Sequence, residues 1–173
     1  DGSLDKTMWS VTTNMTSKED ETNDATEQDP CEPEEKPAVM RVIDNDYSDN
    51  TYIGKADKED AYVTIAMKQS LAVSALKYTV AEGDGMDAFT IEVSEDGKNW
   101  TTVREGSFED KKGSQTVYFQ NENKDPWVAT YDASYVRLTA KNTAGKNVAI
   151  TELDVLGPTG DSISLGIKAD NIN

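Results

Sequence analysis

The sequence predicts an all-β chain folded as an antiparallel β-sandwich. Three observations carry this: short segments alternate apolar and polar residues, turn-forming residues separate them, and no three-turn helical period occurs. Thr7 to Thr13 has strand composition and supplies a first sheet edge. Ala61 to Met67 puts Val63, Ile65 and Met67 on one face, and Leu71 to Val80 does the same with Leu76, Tyr78 and Val80. Ala88 to Ser94 turns Phe89, Ile91 and Val93 inward and Thr90 and Glu92 outward. It meets Asp96-Gly97 and then Trp100 to Val103, and Asp-Gly between two alternating runs is a strong hairpin signal. Gln115 to Phe119, Tyr135 to Ala140 and Val148 to Leu156 complete the strands, separated by stretches rich in Gly, Asn, Asp and Lys.

At 173 residues the chain is sized for one domain. Residues 1–157 are assigned to the sandwich, with a long acidic loop at 17–37 where Glu, Asp, Thr, Asn, Lys and Pro show no apolar period. Gly157-Pro158-Thr159-Gly160 punctuates the chain, so 158–173 reads as a linker or the start of a further module. Opening on Asp1-Gly2-Ser3, the chain reads as an internal segment of something longer.

Asp and Glu outnumber Lys and Arg by 33 to 17, a net charge of −16. Such a field repels phosphate backbones and anionic headgroups, which argues against nucleic acid and against membrane surfaces as partners. Neutral sugars and divalent cations are compatible with it. Histidine is absent, which removes the usual general base and the imidazole metal ligand. The single cysteine, Cys31, permits no internal disulfide, and its acidic surroundings keep the thiol protonated. No run approaches the roughly 20 apolar residues of a membrane helix. Nearly every carboxylate falls in a turn or on an outward strand position, where it stays ionised and solvated, unlike a glycosidase pair with one member raised by burial. With no Gly-x-Ser-x-Gly and no glycine-rich phosphate loop either, the chain reads as a binding domain without catalytic residues.

Five phrases then stand in a telling order: Val42-Ile43-Asp44-Asn45-Asp46; Tyr62-Val63-Thr64-Ile65; Phe89-Thr90-Ile91-Glu92-Val93-Ser94-Glu95-Asp96-Gly97-Lys98-Asn99-Trp100; Ala133-Ser134-Tyr135-Val136-Arg137-Leu138; and Ile150-Thr151-Glu152-Leu153-Asp154-Val155. Together, from Trp9 to Leu156, they resemble the discoidin, or coagulation factor 5/8 type C, family, whose bacterial members include the family 32 carbohydrate-binding modules. The resemblance implies a discoidin-like jelly roll of the galactose-binding-domain-like kind. It implies a non-catalytic carbohydrate-binding module of a secreted multimodular bacterial protein, which targets a linked domain to glycans. The alternative is a protein-binding or structural spacer in a surface protein. The expected partners are a glycan of host or mucin type and neighbouring domains of the same chain, with the module itself monomeric and its location secreted or cell-surface.

Two constellations are candidates for binding. Asp44, Asp46, Asp49, Asn50 and Thr51 crowd one loop with hard oxygen donors, a set that suits Ca2+ rather than a transition metal, although the spacing is not that of an EF-hand. An Asx-rich turn without an ion is the competing reading. The resemblance implies a structural Ca2+ held by the Asp44 side chain, by Asp46 through side chain or carbonyl, by Glu152 from the closing strand, and by the carbonyls of Arg41 and Thr151. The family's threonine corresponds to Asp49 by spacing or to Thr51 by identity.

A sugar site needs an aromatic face for the pyranose C–H surface and fixed polar groups for its hydroxyls. Trp127 and Tyr131 lie between strands and Tyr47 and Tyr52 flank the acidic loop, so these four are the stacking candidates, with partial burial the alternative for each. Tyr118, Phe119 and Trp100 are assigned to packing. The last loop, Lys141 to Asn147, offers Asn142 and Asn147 as hydrogen-bonding groups, or is a plain turn. Galactose-type sites of the family also use a His and an Arg; this chain has no His, and its middle loop, Ala81 to Asp87, has no Arg.

Overall fold

Because side chains alternate along a strand, the apolar set of each segment selects the face that is buried. The computed structural model describes residues 2–17, 37–48 and 50–158. Among them are eleven strands: β1 (Ser10–Thr13), β2 (Thr16–Ser17), β3 (Tyr52–Lys55), β4 (Ala61–Val73), β5 (Ala75–Val80), β6 (Ala88–Ser94), β7 (Thr101–Ser107), β8 (Gly113–Tyr118), β9 (Tyr131–Ala140), β10 (Asn147–Ile150) and β11 (Glu152–Leu156). A 3-10 helix, Ala38–Ile43, precedes β3. A five-stranded sheet runs β1-β4-β9-β6-β7, and two three-stranded sheets run β11-β5-β8 and β10-β3-β2. Every pairing is antiparallel. The expected all-β, antiparallel sandwich is therefore what forms.

Val63, Ile65, Met67, Phe89, Ile91 and Val93 of the large sheet share one core with Leu76, Tyr78, Val80, Leu153 and Val155 of the β11-β5-β8 sheet. Each such side chain contributes about 1.5–3 kcal/mol relative to exposure. The Asp96-Gly97 turn joins β6 to β7 as the sequence indicates. Gly97 takes φ 77°, and the Asp96 carboxylate accepts hydrogen bonds from Asn99 N and Lys98 N, each 2.8 Å. Those donors hold its carboxyl well below the usual range.

Two expected strands are each divided between sheets. Leu71–Val73 completes β4 beyond an irregularity in which Lys68 adopts φ 71°, whereas Ala75–Val80 is β5. Val148–Leu156 breaks at Thr151 into β10 and β11. Neither break carries Gly or Pro. Hydroxyls serve instead: Ser74 Oγ lies 2.8 Å from Thr130 Oγ1, and Thr151 Oγ1 accepts from Ala81 N at 2.7 Å. The short strands β2 and β3 and the 3-10 helix have no alternating run long enough to announce them.

The N-terminal segment lies along β11: Ser3 bridges Leu156, Leu4 N donates to Val155 O at 3.0 Å, and Gly157 N donates to Gly2 O at 2.9 Å. The acidic stretch 18–36 with Cys31, Asp49, and 159–173 fall outside the described residues.

Candidate functional site

The 3-10 helix ends at Asp44, whose N–H donates to Arg41 O at 3.3 Å, and the chain then turns over the start of β11. Asn45, in the left-handed region at φ 65°, donates its N–H to Glu152 Oε2 at 2.9 Å. Glu152 is fully buried, and its Oε1 has no hydrogen-bond partner among the described residues. Burial pushes its carboxyl up to about 8, against the lowering effect of Lys6 and Asn45, and the carboxyl of Asp44 beside it adds to the rise. The Asp44 carboxylate accepts from Asp46 N at 2.9 Å and from Asn50 Nδ2 at 2.6 Å. Thr51 Oγ1 and Thr151 Oγ1 share a hydrogen bond of 2.6 Å. Of the expected calcium ligands, Asp44, Thr51, Thr151 and Glu152 are thus linked in one neighbourhood. Arg41 adjoins them, its guanidinium reaching Thr51 O at 3.5 Å. Asp46 is turned toward Ser48, accepting from its N–H at 3.1 Å and its hydroxyl at 2.7 Å. Among the described residues no group of three or more His, Cys, Asp or Glu side chains gathers around one point.

Sequence reasoning missed Lys6, which fills the inner side of this neighbourhood. Its ammonium donates to Glu152 Oε2, to Asp154 Oδ1 at 2.7 Å and to Leu153 O at 3.2 Å, with the side chains of all three charged residues almost wholly buried. Tyr47 completes the arrangement. Its hydroxyl donates to the Asp154 carboxylate, 2.8 and 2.9 Å from the two oxygens, and its ring lies 5.7 Å from both the Lys6 and the Lys77 nitrogens.

A cavity of about 550 Å³ opens where the β5–β6, β7–β8 and β9–β10 loops meet. That is a usual size for a small-ligand site. Its walls include Asp84, Met86, Lys111, Lys141, Asn142 and Asn147. Each loop is pinned. The buried Tyr78 hydroxyl donates to Ala149 O at 2.7 Å and accepts from Met86 N at 3.1 Å, while Ala149 N donates to Asp84 O at 2.9 Å. Gly85 packs so closely that a Cβ there would lie 2.6 Å from Lys111 O, which fixes the first loop against the second. In the third, Thr143 Oγ1 donates to Ala140 O at 2.6 Å and accepts from Ala61 N at 3.0 Å. Asn142 sits at φ 62°. Neither it nor Asn147 has a side-chain partner among the described residues.

The structure separates the remaining sugar candidates. Tyr52 is completely buried in β3, so its ring is core and is removed as a stacking residue. Tyr47 is committed to Asp154. Tyr131 lines a different cavity with Ser94, Asp96, Asn99 and Asp132, and its hydroxyl bonds Gln120 O at 2.5 Å. Trp127 is half exposed on the β8–β9 loop. These last two precede or open β9, whereas Asn142 follows it, and ten strand residues span about 30 Å. One sugar ring therefore cannot touch both sets. Phe119 is buried as expected, and Trp100 packs edge-on to Tyr135 with the Arg137 guanidinium 4.4 Å from its ring. Tyr118 is the exception, turned outward by the alternation and partly exposed. The lysines of the cavity were not singled out in advance, although Lys111-Lys112 in so acidic a chain is a visible signal.

Among the described residues no helix is long and apolar enough to cross a membrane. Solved structures with similar folds include the Clostridium perfringens module CpGH89CBM32-5 in complex with GalNAc-β-1,3-galactose, at 19% identity over 86% of this chain and 95% of that one, TM-score 0.61. A family 32 module, CBM32-3, from a family 31 glycoside hydrolase of the same organism matches at 20% identity over 91% and 96%, TM-score 0.64. The C-terminal domain of a Bacteroides fragilis chitobiase matches at 18% identity over 90% and 97%, TM-score 0.64. A search of curated proteins returns no match. The fold, the ordered phrases from Val42 to Val155 and a sequence-profile match across residues 22–153 agree, and the chain belongs to the F5/8 type C domain family.

Proposed function

We propose that the domain is a non-catalytic carbohydrate-binding module and that the cavity between the β5–β6, β7–β8 and β9–β10 loops is its sugar site. The observation that carries this reading is the convergence of two unpartnered side-chain amides, Asn142 and Asn147, on rigidly held loops around one cavity. The amides and Asp84 meet the hydroxyls of a pyranose there. The fold shared with a module that is complexed with GalNAc-β-1,3-galactose supports the same reading. In this role the module works outside the cell or at its surface, as a monomer, raising the local concentration of a linked domain on glycans through avidity.

Asn142→Gly combined with Asn147→Ala is expected to weaken glycan binding by at least about tenfold with little change in melting temperature, because both side chains are exposed and glycine adopts the positive φ of position 142 without strain. Trp127→Ala is expected to leave affinity unchanged. Titration calorimetry on a glycan chosen from an array checks both. The reverse pattern moves the site to the β8–β9 end of the sandwich, and binding to no glycan alongside saturable binding to a protein favours the spacer reading.

We propose in addition that a calcium ion is held between the β3 approach and β11. The orphaned Glu152 Oε1, the adjacent Asp44 carboxylate, Thr51 and the Arg41 and Thr151 carbonyls are hard oxygen donors that support it; the Lys6 ammonium meets Glu152 Oε2, which leaves Oε1 beside Asp44 to a proton or an ion. When bound, such an ion ties the loop before β3 to the closing strand. Free calcium at a hundred times Kd then stabilises by about 2.7 kcal/mol, a rise of several degrees in Tm. Glu152→Gln is expected to abolish most of that calcium-dependent difference. Equal Tm in calcium, magnesium and chelator at matched ionic strength counts against the ion.

A further inference from the structure

We infer that the preferred ligand of the loop cavity is an acidic glycan, one whose carboxylate or sulfate group sits among the ammonium groups of Lys111, Lys141 and Lys146. This rests on the cavity being the sugar site and names the class of sugar. Over the whole chain acidic residues outnumber basic ones by 33 to 17, yet the cavity wall carries three lysines against two carboxylates, Asp84 and Asp87. The local balance is reversed. Lys111 stands 3.5 Å from Asp87, so that carboxylate is already met. Lys141 and Lys146 are exposed, and among the described residues neither ammonium has a carboxylate partner.

Their placement is built into the fold. Lys141 N donates to Ala88 O at 2.8 Å, and Lys146 N donates to Thr143 O at 2.9 Å, which fixes the backbone at both residues on the pinned β9–β10 loop. The close approach of Gly85 to the Lys111 carbonyl fixes the backbone there. The contrast with the opposite end of the sandwich is direct: the cavity beside Tyr131 is lined by Glu95, Asp96 and Asp132 and by no lysine or arginine. Lys111 is met by Asp87, so the ammonium groups of Lys141 and Lys146 are left to a ligand; a neutral sugar draws on them only as hydrogen-bond donors, whereas an anionic one gains their full charge in a chain of net charge −16.

The test uses pairs matched apart from the acidic group: 3′-sulfolactose beside lactose, 3′-sialyllactose beside its methyl ester, and oligogalacturonate beside its methyl ester. Binding is measured by titration calorimetry at low and high salt. At least one acidic member is expected to bind about tenfold or more tightly than its neutral counterpart, and the gap is expected to narrow as salt screens the site. Preference for sialyllactose or oligogalacturonate identifies a carboxylate, and preference for sulfolactose identifies a sulfate. The double variant Lys141→Gln with Lys146→Gln is expected to bring the acidic probe to within twofold of the neutral one while neutral binding persists. Neutral probes binding as well as acidic ones would overturn the inference and leave the sugar site standing. An acidic preference that survives the double variant would overturn the assignment to these lysines. Binding to none of the probes overturns it too, and a wider array with no glycan bound removes the sugar-site reading as well.

Discussion

Lys6→Met is expected to destabilise the domain by about 3–5 kcal/mol above about pH 8, where both buried carboxyls are ionised and are left without their cation. Glu152 and Asp154 are two residues apart on β11, so their side chains share one face, and they are 0% and 2% exposed. The Lys6 ammonium is within reach of both, and only the second is also served by the Tyr47 hydroxyl. For a domain of this size the loss corresponds to a fall in Tm of about 10 °C. Adding Glu152→Gln and Asp154→Asn to the Lys6 variant is expected to return part of the stability, since neutral amides remove the unpaired charge. Thermal unfolding of the single and triple variants at matched ionic strength decides it. If Lys6→Met melts within about 2 °C of the parent, the ammonium is not what neutralises the pair.

Tyr78→Phe is expected to cost about 2–4 kcal/mol and to weaken ligand binding at the same time. The ring is buried and stays filled by Phe, so packing is conserved; the hydroxyl alone is lost. Burial holds that phenol far above its ordinary range, so it is protonated at every working pH and available as a donor. Removing it strips Ala149 O of one donor and leaves Met86 N without the acceptor shown for it, and each buried group left unpaired costs about 1–3 kcal/mol. Met86 belongs to the β5–β6 loop and Ala149 to β10, so the same deletion loosens one cavity wall against another. Hydrogen exchange at the Met86 amide is expected to accelerate, and glycan affinity to fall with it. Unchanged exchange and affinity, with only Tm reduced, mean that the hydroxyl is structural and does not hold the site.

How much of this was legible in the sequence follows from the range of each interaction. Alternation within Ala88 to Ser94 and the Asp-Gly turn after it are local, and β6 and β7 form where they read. The sheet switches at Ser74 and Thr151 depend on partners far along the chain, such as Leu156 for Ser74, and no residue type marks them. The same holds for the site. Asn142 and Asn147 were visible as polar residues of one loop, and their meeting with Ala81 to Asp87 follows from the topology. Lys6 was invisible, because nothing near it in sequence tells that it lies against Glu152. Tyr52 was misread because a four-residue strand, Tyr52–Lys55, offers too short a pattern to separate a core ring from a loop ring.

The hydrogen bond between Gly157 and Gly2 sets the direction in which the module points. Leu156 pairs with Ala75 at the start of β5, and the cavity loop departs from the far end of that strand at Val80, about 17 Å away. Gly2 and Gly157 therefore stand side by side at the rear of the sandwich, at the end away from the proposed sugar cavity. A partner domain fused at that end would start behind the cavity rather than across its mouth.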